Sequence, residues 1–174
     1  MRQRADFSSI TFFERVSLAA REPVYSAAFA WALDDRSPLP LRARLAIVAE
    51  VFGADTTGGR SISATTERKK IDLLLSVRRE AGQVHVAIEN KIKAAEEEQQ
   101  LATHDQRLRQ LSGEVKKVFL TLTGELPRSG TGWKAVSYSA LRDALSAQPA
   151  SGSQPLDDLC DSSHPTRCRG RRGP

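Results

Sequence analysis

Apolar residues concentrate in two short runs in the middle of the chain: Ile71-Asp72-Leu73-Leu74-Leu75-Ser76-Val77 and Val84-His85-Val86-Ala87-Ile88-Glu89-Asn90-Lys91. Runs of this length, rich in aliphatic and β-branched residues and separated by turn formers, predict two strands. Lys117-Val118-Phe119-Leu120-Thr121-Leu122 predicts a buried strand, and residues 133–138 a short last one. Elsewhere the spacing is helical. Residues 12–33 carry Phe13, Val16, Leu18, Val24, Phe29 and Trp31, with Pro23 starting a second helix or kinking the first. Ser37-Pro38-Leu39-Pro40 breaks that pattern. Residues 41–52 form the next helix through Leu45, Ile47, Val48 and Val51, and Gly53 suits its end. Residues 54–66, rich in Thr, Gly and Ser, read as a loop. After Lys91 a helix follows, acidic at Glu96, Glu97 and Glu98 and basic at Arg107 and Arg109, which complements the helix dipole. The glutamate run reads as a solvated face. Residues 139–147 predict a helix capped by Ser139. The strand–helix–strand unit over residues 84–122 predicts a parallel strand pair.

Two of the apolar strands carry charges, and that changes the picture. A charge within a greasy strand is costly unless a ligand needs it. Side chains alternate faces along a strand, so His85, Ala87, Glu89 and Lys91 share one face. Asp72 shares its own face with Leu74 and Ser76, and Ile71 lies opposite with Leu73. If Arg79-Glu80-Ala81-Gly82 forms a four-residue hairpin loop, Arg78 pairs with Gln83 and Asp72 falls opposite Glu89 on the same face. An odd-length loop would move Asp72 to the wrong face. Opposed carboxylates come within about 5 Å at Cβ and destabilise a sheet. A hard cation such as Mg²⁺ removes the repulsion and prefers oxygen ligands. Lys91, two residues on, is placed to touch a bound phosphate or an attacking water. In the bland alternative, Asp72 and Glu89 mark strand ends at solvent and Lys91 pairs with one of them.

Ile71-Asp72-Leu73-Leu74 followed by Ile88-Glu89-Asn90-Lys91-Ile92 resembles the PD-(D/E)xK nuclease superfamily, in a bacterial branch with a Glu-Asn-Lys motif and a later Gln100-Leu101. The resemblance spans residues 12–147. It implies an α/β fold with a restriction-endonuclease-like core, a mixed central sheet flanked by helices. It implies a metal held by Asp72, Glu89 and the backbone carbonyl of Asn90, with Lys91 assisting catalysis. It adds a helix glutamate, for which Glu22, four residues before Ser26, matches the branch pattern and Glu14 is the other candidate. A related subgroup has Gln-x-x-x-Tyr after the lysine. Here Gln100-Leu101-Ala102-Thr103-His104 puts histidine in the tyrosine's place, so Gln100 joins the implied catalytic set and His104 reads either as a surface or packing histidine or as a site residue.

The net charge of +5 favours a polyanionic partner. The implied partner is nucleic acid, DNA first, and the implied cofactor is Mg²⁺ or Mn²⁺. No apolar run reaches membrane-span length and the N-terminus lacks a signal pattern, so no membrane partner is expected and cytoplasm is the default. Residues 1–147 are expected to form the nuclease-like domain. Residues 148–174, dominated by Ser, Pro, Gly, Asp and then Arg, are expected to be a disordered basic tail. That tail reads either as an arm on nucleic acid or as a segment that replaced native helices after a frameshift or early stop. Cys160 and Cys168 flank His164 there without a fourth zinc ligand. Two functions fit the chain: a metal-dependent nuclease, and a non-catalytic nucleic-acid-binding or interaction module on the same fold, possibly a truncated nuclease.

Overall fold

The computed structural model describes residues 22–67, 70–92, 100–129 and 132–148. Helix α1 spans Glu22–Leu33. Pro23 sits in its first turn, where the missing N–H has no intrahelical acceptor to lose. The expected helix over residues 12–21, with Glu14, lies outside the described residues. So do Glu96, Glu97 and Glu98, Cys160, His164, Cys168 and the expected tail from residue 149 onward. Helix α2 spans Leu41–Phe52, and Gly53 ends it at φ +73 with its N–H on the Ala49 carbonyl.

Strand β1, Gly59–Thr66, replaces the loop expected over residues 54–66. It is the edge of the sheet, and only Ile62 is fully buried, so alternation of hydrophobicity was too weak to announce it. Two of its outer N–H groups are occupied: Ala64 donates to Asp34 Oδ2 at 3.0 Å and Ile62 to Asp35 Oδ1 at 3.2 Å. Arg44 holds Asp35 at 2.8 Å. Carboxylates after α1 thus block strand addition at this edge, a hazard that unpaired strands carry.

Strands β2, Leu73–Arg79, and β3, Gly82–Lys91, form the hairpin. Arg78 pairs with Gln83 and Leu73 with Ile88, the register expected from the sequence. The loop itself is shorter than expected, because Arg79 also pairs with Gly82 and leaves Glu80 and Ala81 as the turn. The length stays even, so the faces are unchanged. Gly82 takes φ +115, a region that strains L side chains. Helix α3, Gln100–Leu108, crosses to β4, Glu114–Thr121, which lies parallel to β3. Strand β5, Trp133–Ser137, lies parallel to β4. Helix α4, Tyr138–Ser146, starts one residue earlier than expected. Its cap is Ser137 rather than Ser139: Ser137 Oγ accepts the Ala140 N–H at 3.1 Å.

The sheet order is β1-β2-β3-β4-β5, with antiparallel pairs on the hairpin side and parallel pairs beyond. This is an α/β architecture with a mixed central sheet flanked by helices, as the resemblance implied. One face packs Leu73, Leu75, Val84, Val86 and Ile88 against Phe29, Ile47, Phe52 and Leu141 of α1, α2 and α4. Each such side chain, fully buried, contributes about 1.5–3 kcal/mol. The other face carries a smaller cluster in which Leu74, Ala87, Phe119 and Trp133 meet Leu101 and Leu108 of α3. Ile71 belongs to this second cluster rather than to the Leu73 face. The cause is the backbone: Lys70 has φ +62, and regular strand geometry begins only at Leu73.

Candidate active site

The carboxyl ends of β3, β4 and β5 lie side by side, with Lys91 beside Thr121 and Thr121 beside Ser137. In α/β sheets this is the end where ligands bind. Asp72, Glu89 and Lys91 all gather there.

Asp72 stands one residue before β2, next in register to Glu89. Its Oδ2 accepts the Asn90 backbone N–H at 2.8 Å. Its pKa is pushed up to about 6, chiefly by burial and next by the charge of Glu89, with a smaller push from Glu22. The Asn90 N–H and Lys91 work against that rise. The expected face-sharing of the two carboxylates is therefore felt as repulsion.

Glu89 is 0 % exposed. Lys91 Nζ lies 3.0 Å from its Oε1, and Gln100 Nε2 donates to the same oxygen at 2.5 Å. His104 Nε2 lies 3.0 Å from its Oε2. That last approach is close enough for a bond but poorly aligned: among the described residues Glu89 Oε2, Gln100 Oε1 and both His104 ring nitrogens have no hydrogen-bond partner of good geometry. Gln100 and His104, four apart on α3, present one face to Glu89 as helical spacing requires. The bland reading of Glu89 as a solvent-facing strand end is overturned, and so is that of His104 as a surface residue, since it is 2 % exposed.

Burial alone would lower the Lys91 pKa. Glu89, through charge and hydrogen bond, then Glu22 and Asp72, outweigh it and hold the ammonium above its ordinary value. Lys91 is thus a fixed cation at neutral pH.

Glu22 lies at the same end. Its Oε1 accepts the Ile92 N–H at 2.8 Å, fixing the chain as it leaves β3. Asn90 points to the opposite face, as alternation demands. Its side-chain NH₂ donates to the Glu22 carbonyl at 3.1 Å and to Ser26 Oγ at 3.0 Å, and its Oδ1 accepts from Tyr138 OH at 2.5 Å. The Glu22 and Ser26 spacing is therefore the clasp of α1 on β3. Burial raises the Tyr138 hydroxyl, which stays a donor. Tyr138 carried no signal in the sequence. His104 did, through its spacing from Gln100.

His85, on the Glu89 face at the other end of β3, is a satisfied core histidine: Ser76 Oγ lies 2.8 Å from Nδ1 and the Ser112 carbonyl 3.1 Å from Nε2. Among the described residues no three His, Cys, Asp or Glu side chains group as a ready metal cage. Asp72, Glu89 and Glu22 are the carboxylates gathered at this end of the sheet.

An acidic residue entering β2, a Glu-x-Lys closing β3 and a helix reaching back to the glutamate stand together at this sheet end. The family model of the PD-(D/E)XK nuclease superfamily matches residues 11–154, and the chain belongs to that superfamily. That membership points to nuclease-type chemistry on nucleic acid. No curated protein and no solved structure matches the chain. Among the described residues no helix is long and apolar enough to cross a membrane.

Proposed function

We propose that the protein is a divalent-metal-dependent nuclease that hydrolyses phosphodiester bonds of DNA in the cytoplasm. The observation that carries this reading is the fully buried Glu89 meeting Asp72 and a fixed ammonium, Lys91, at the carboxyl end of β3. Asp72, Glu89 and the carbonyl oxygen of Asn90 would hold Mg²⁺ or Mn²⁺. The fit is chemical: the donors are all oxygen, which hard cations prefer. Glu89 Oε2 is a buried acceptor without an aligned partner among the described residues, and the Asp72–Glu89 repulsion is of the kind a cation relieves. Such an ion supplies a water of lowered pKa and neutralises charge on the phosphate.

The chain's own residues do the rest. Lys91, held protonated, stabilises negative charge on the reacting phosphate and does not act as a base. Gln100 orients Glu89 through Oε1. Glu22 fixes the exit of β3 and adds a carboxylate that can orient an attacking water. The net charge of +5 favours a polyanionic substrate.

The test is incubation of the purified chain with plasmid and single-stranded DNA in Mg²⁺, Mn²⁺ or EDTA. Cleavage with metal and none with EDTA is expected. No cleavage with either ion, together with no metal uptake by calorimetry, would replace this reading with a non-catalytic binding module.

A further inference from the structure

We propose that His104 is a positioning residue for Glu89, its Nε2–H closing on Glu89 Oε2 from a 3.0 Å approach that is not yet aligned, while Lys91 and Gln100 take Oε1. This rests on reading Glu89 as a metal ligand. The approach is 3.0 Å between side chains that are 0 % and 2 % exposed. A histidine kept only for packing would be an expensive choice there. It shares a helix face with Leu101 and Leu108, which pack in an apolar cluster with Trp133, where an aliphatic side chain would bring no ring nitrogens to leave unpaired.

The ring's surroundings are built to hold it. His104 lies against Trp133 at 6.3 Å between centroids. Trp133 Nε1 donates to Asp105 Oδ1 at 3.1 Å, and Lys117 Nζ donates to both Asp105 oxygens at 3.1 Å. Asp105 is the next residue on α3, so one turn of helix fixes both the ring and the indole it rests on. Residues that orient a metal ligand usually matter to metal affinity roughly ten- to a hundredfold when removed.

The test compares wild type with His104→Gln, His104→Asn and His104→Leu in the full chain, with thermal melts to show folding. A glutamine amide nitrogen reaches the place of Nε2, whereas an asparagine nitrogen stops near Nδ1. Calorimetric Mn²⁺ affinity should fall roughly ten- to a hundredfold in His104→Leu and His104→Asn and stay near wild type in His104→Gln. If only packing matters, the order reverses: His104→Leu binds like wild type and both amides lose affinity, and the proposal is overturned. Should His104→Leu fail to fold, the Gln-against-Asn comparison decides. A metal-free reading comes from long-range ¹H–¹⁵N spectra of the His104 ring. A proton on Nε2 supports the assignment, and a ring protonated on Nδ1 alone overturns it. If wild type takes up no Mn²⁺, the nuclease reading falls, and the ring spectrum still decides this one.

Discussion

Glu89 and Asn90 are neighbours on β3, both buried, and they meet opposite fates. Asn90 faces the large apolar layer and has every side-chain group bonded, to Glu22, Ser26 and Tyr138. Glu89 faces α3 and keeps one oxygen without an aligned partner among the described residues, beside an equally unsatisfied amide and imidazole. A fully satisfied polar network rigidifies a fold, while a partly satisfied one costs stability and is kept where something else must bind. Adjacent residues thus divide the labour: one welds helix to strand, the other is held ready.

The largest effect should come from the unsatisfied side. Glu89→Ala and Asp72→Ala should each reduce metal-dependent DNA cleavage by more than about a hundredfold, beyond what loss of an outer partner produces. Metal uptake by calorimetry should weaken with it, and both variants should still fold, since each change relieves the Asp72–Glu89 repulsion. Wild-type cleavage by Glu89→Ala would place the chemistry elsewhere on the molecule. Next is Lys91→Ala. Its cleavage rate should drop strongly while calorimetric metal affinity stays or rises slightly, because a neighbouring cation has gone. A parallel loss of affinity would mean that Lys91 works by arranging the ligands.

The satisfied side should respond in stability. Tyr138→Phe strands Asn90 Oδ1 and should cost about 1–3 kcal/mol in urea unfolding. Asn90→Leu, which strands three partners, should cost more. A neutral result in both would show the clasp to be dispensable.

The smallest expected effect is a slope. The Asp72 carboxyl is ordinarily near 3.8 and is raised to about 6 by burial and Glu89. Between those values the folded protein keeps a proton that the unfolded chain releases. Stability of metal-free protein should therefore fall as pH rises through that window and level off above it. Asp72→Asn should flatten the slope and stabilise the metal-free protein at neutral pH, as read from urea midpoints across pH.

The hairpin was legible in the sequence because its information is local. The alternation in residues 71–77 and 84–91 and an even-length turn suffice to put Asp72 beside Glu89, even though the turn proved two residues rather than four. Helix α2 was equally legible, through apolar spacing closed by Gly53. Strand β1 was not. An edge strand needs one buried side chain and a neighbour to pair with, and that neighbour, β2, lies beyond the next turn of the chain. Ile71 was misplaced for a related reason, since the turn at Lys70 interrupts the alternation that the apolar run suggested.

The chain's own order of residues determined the motif, its faces and its register, because strand periodicity and turn length act over a few positions. Tertiary structure alone decided what surrounds the motif. Asn90 is clasped across 48 to 68 residues of chain, Asp34 and Asp35 close an edge about 30 residues away, and His104 is turned from a helix position into a partner of Glu89. Such contacts depend on how helices settle on a twisted sheet, and no local spacing encodes that settling.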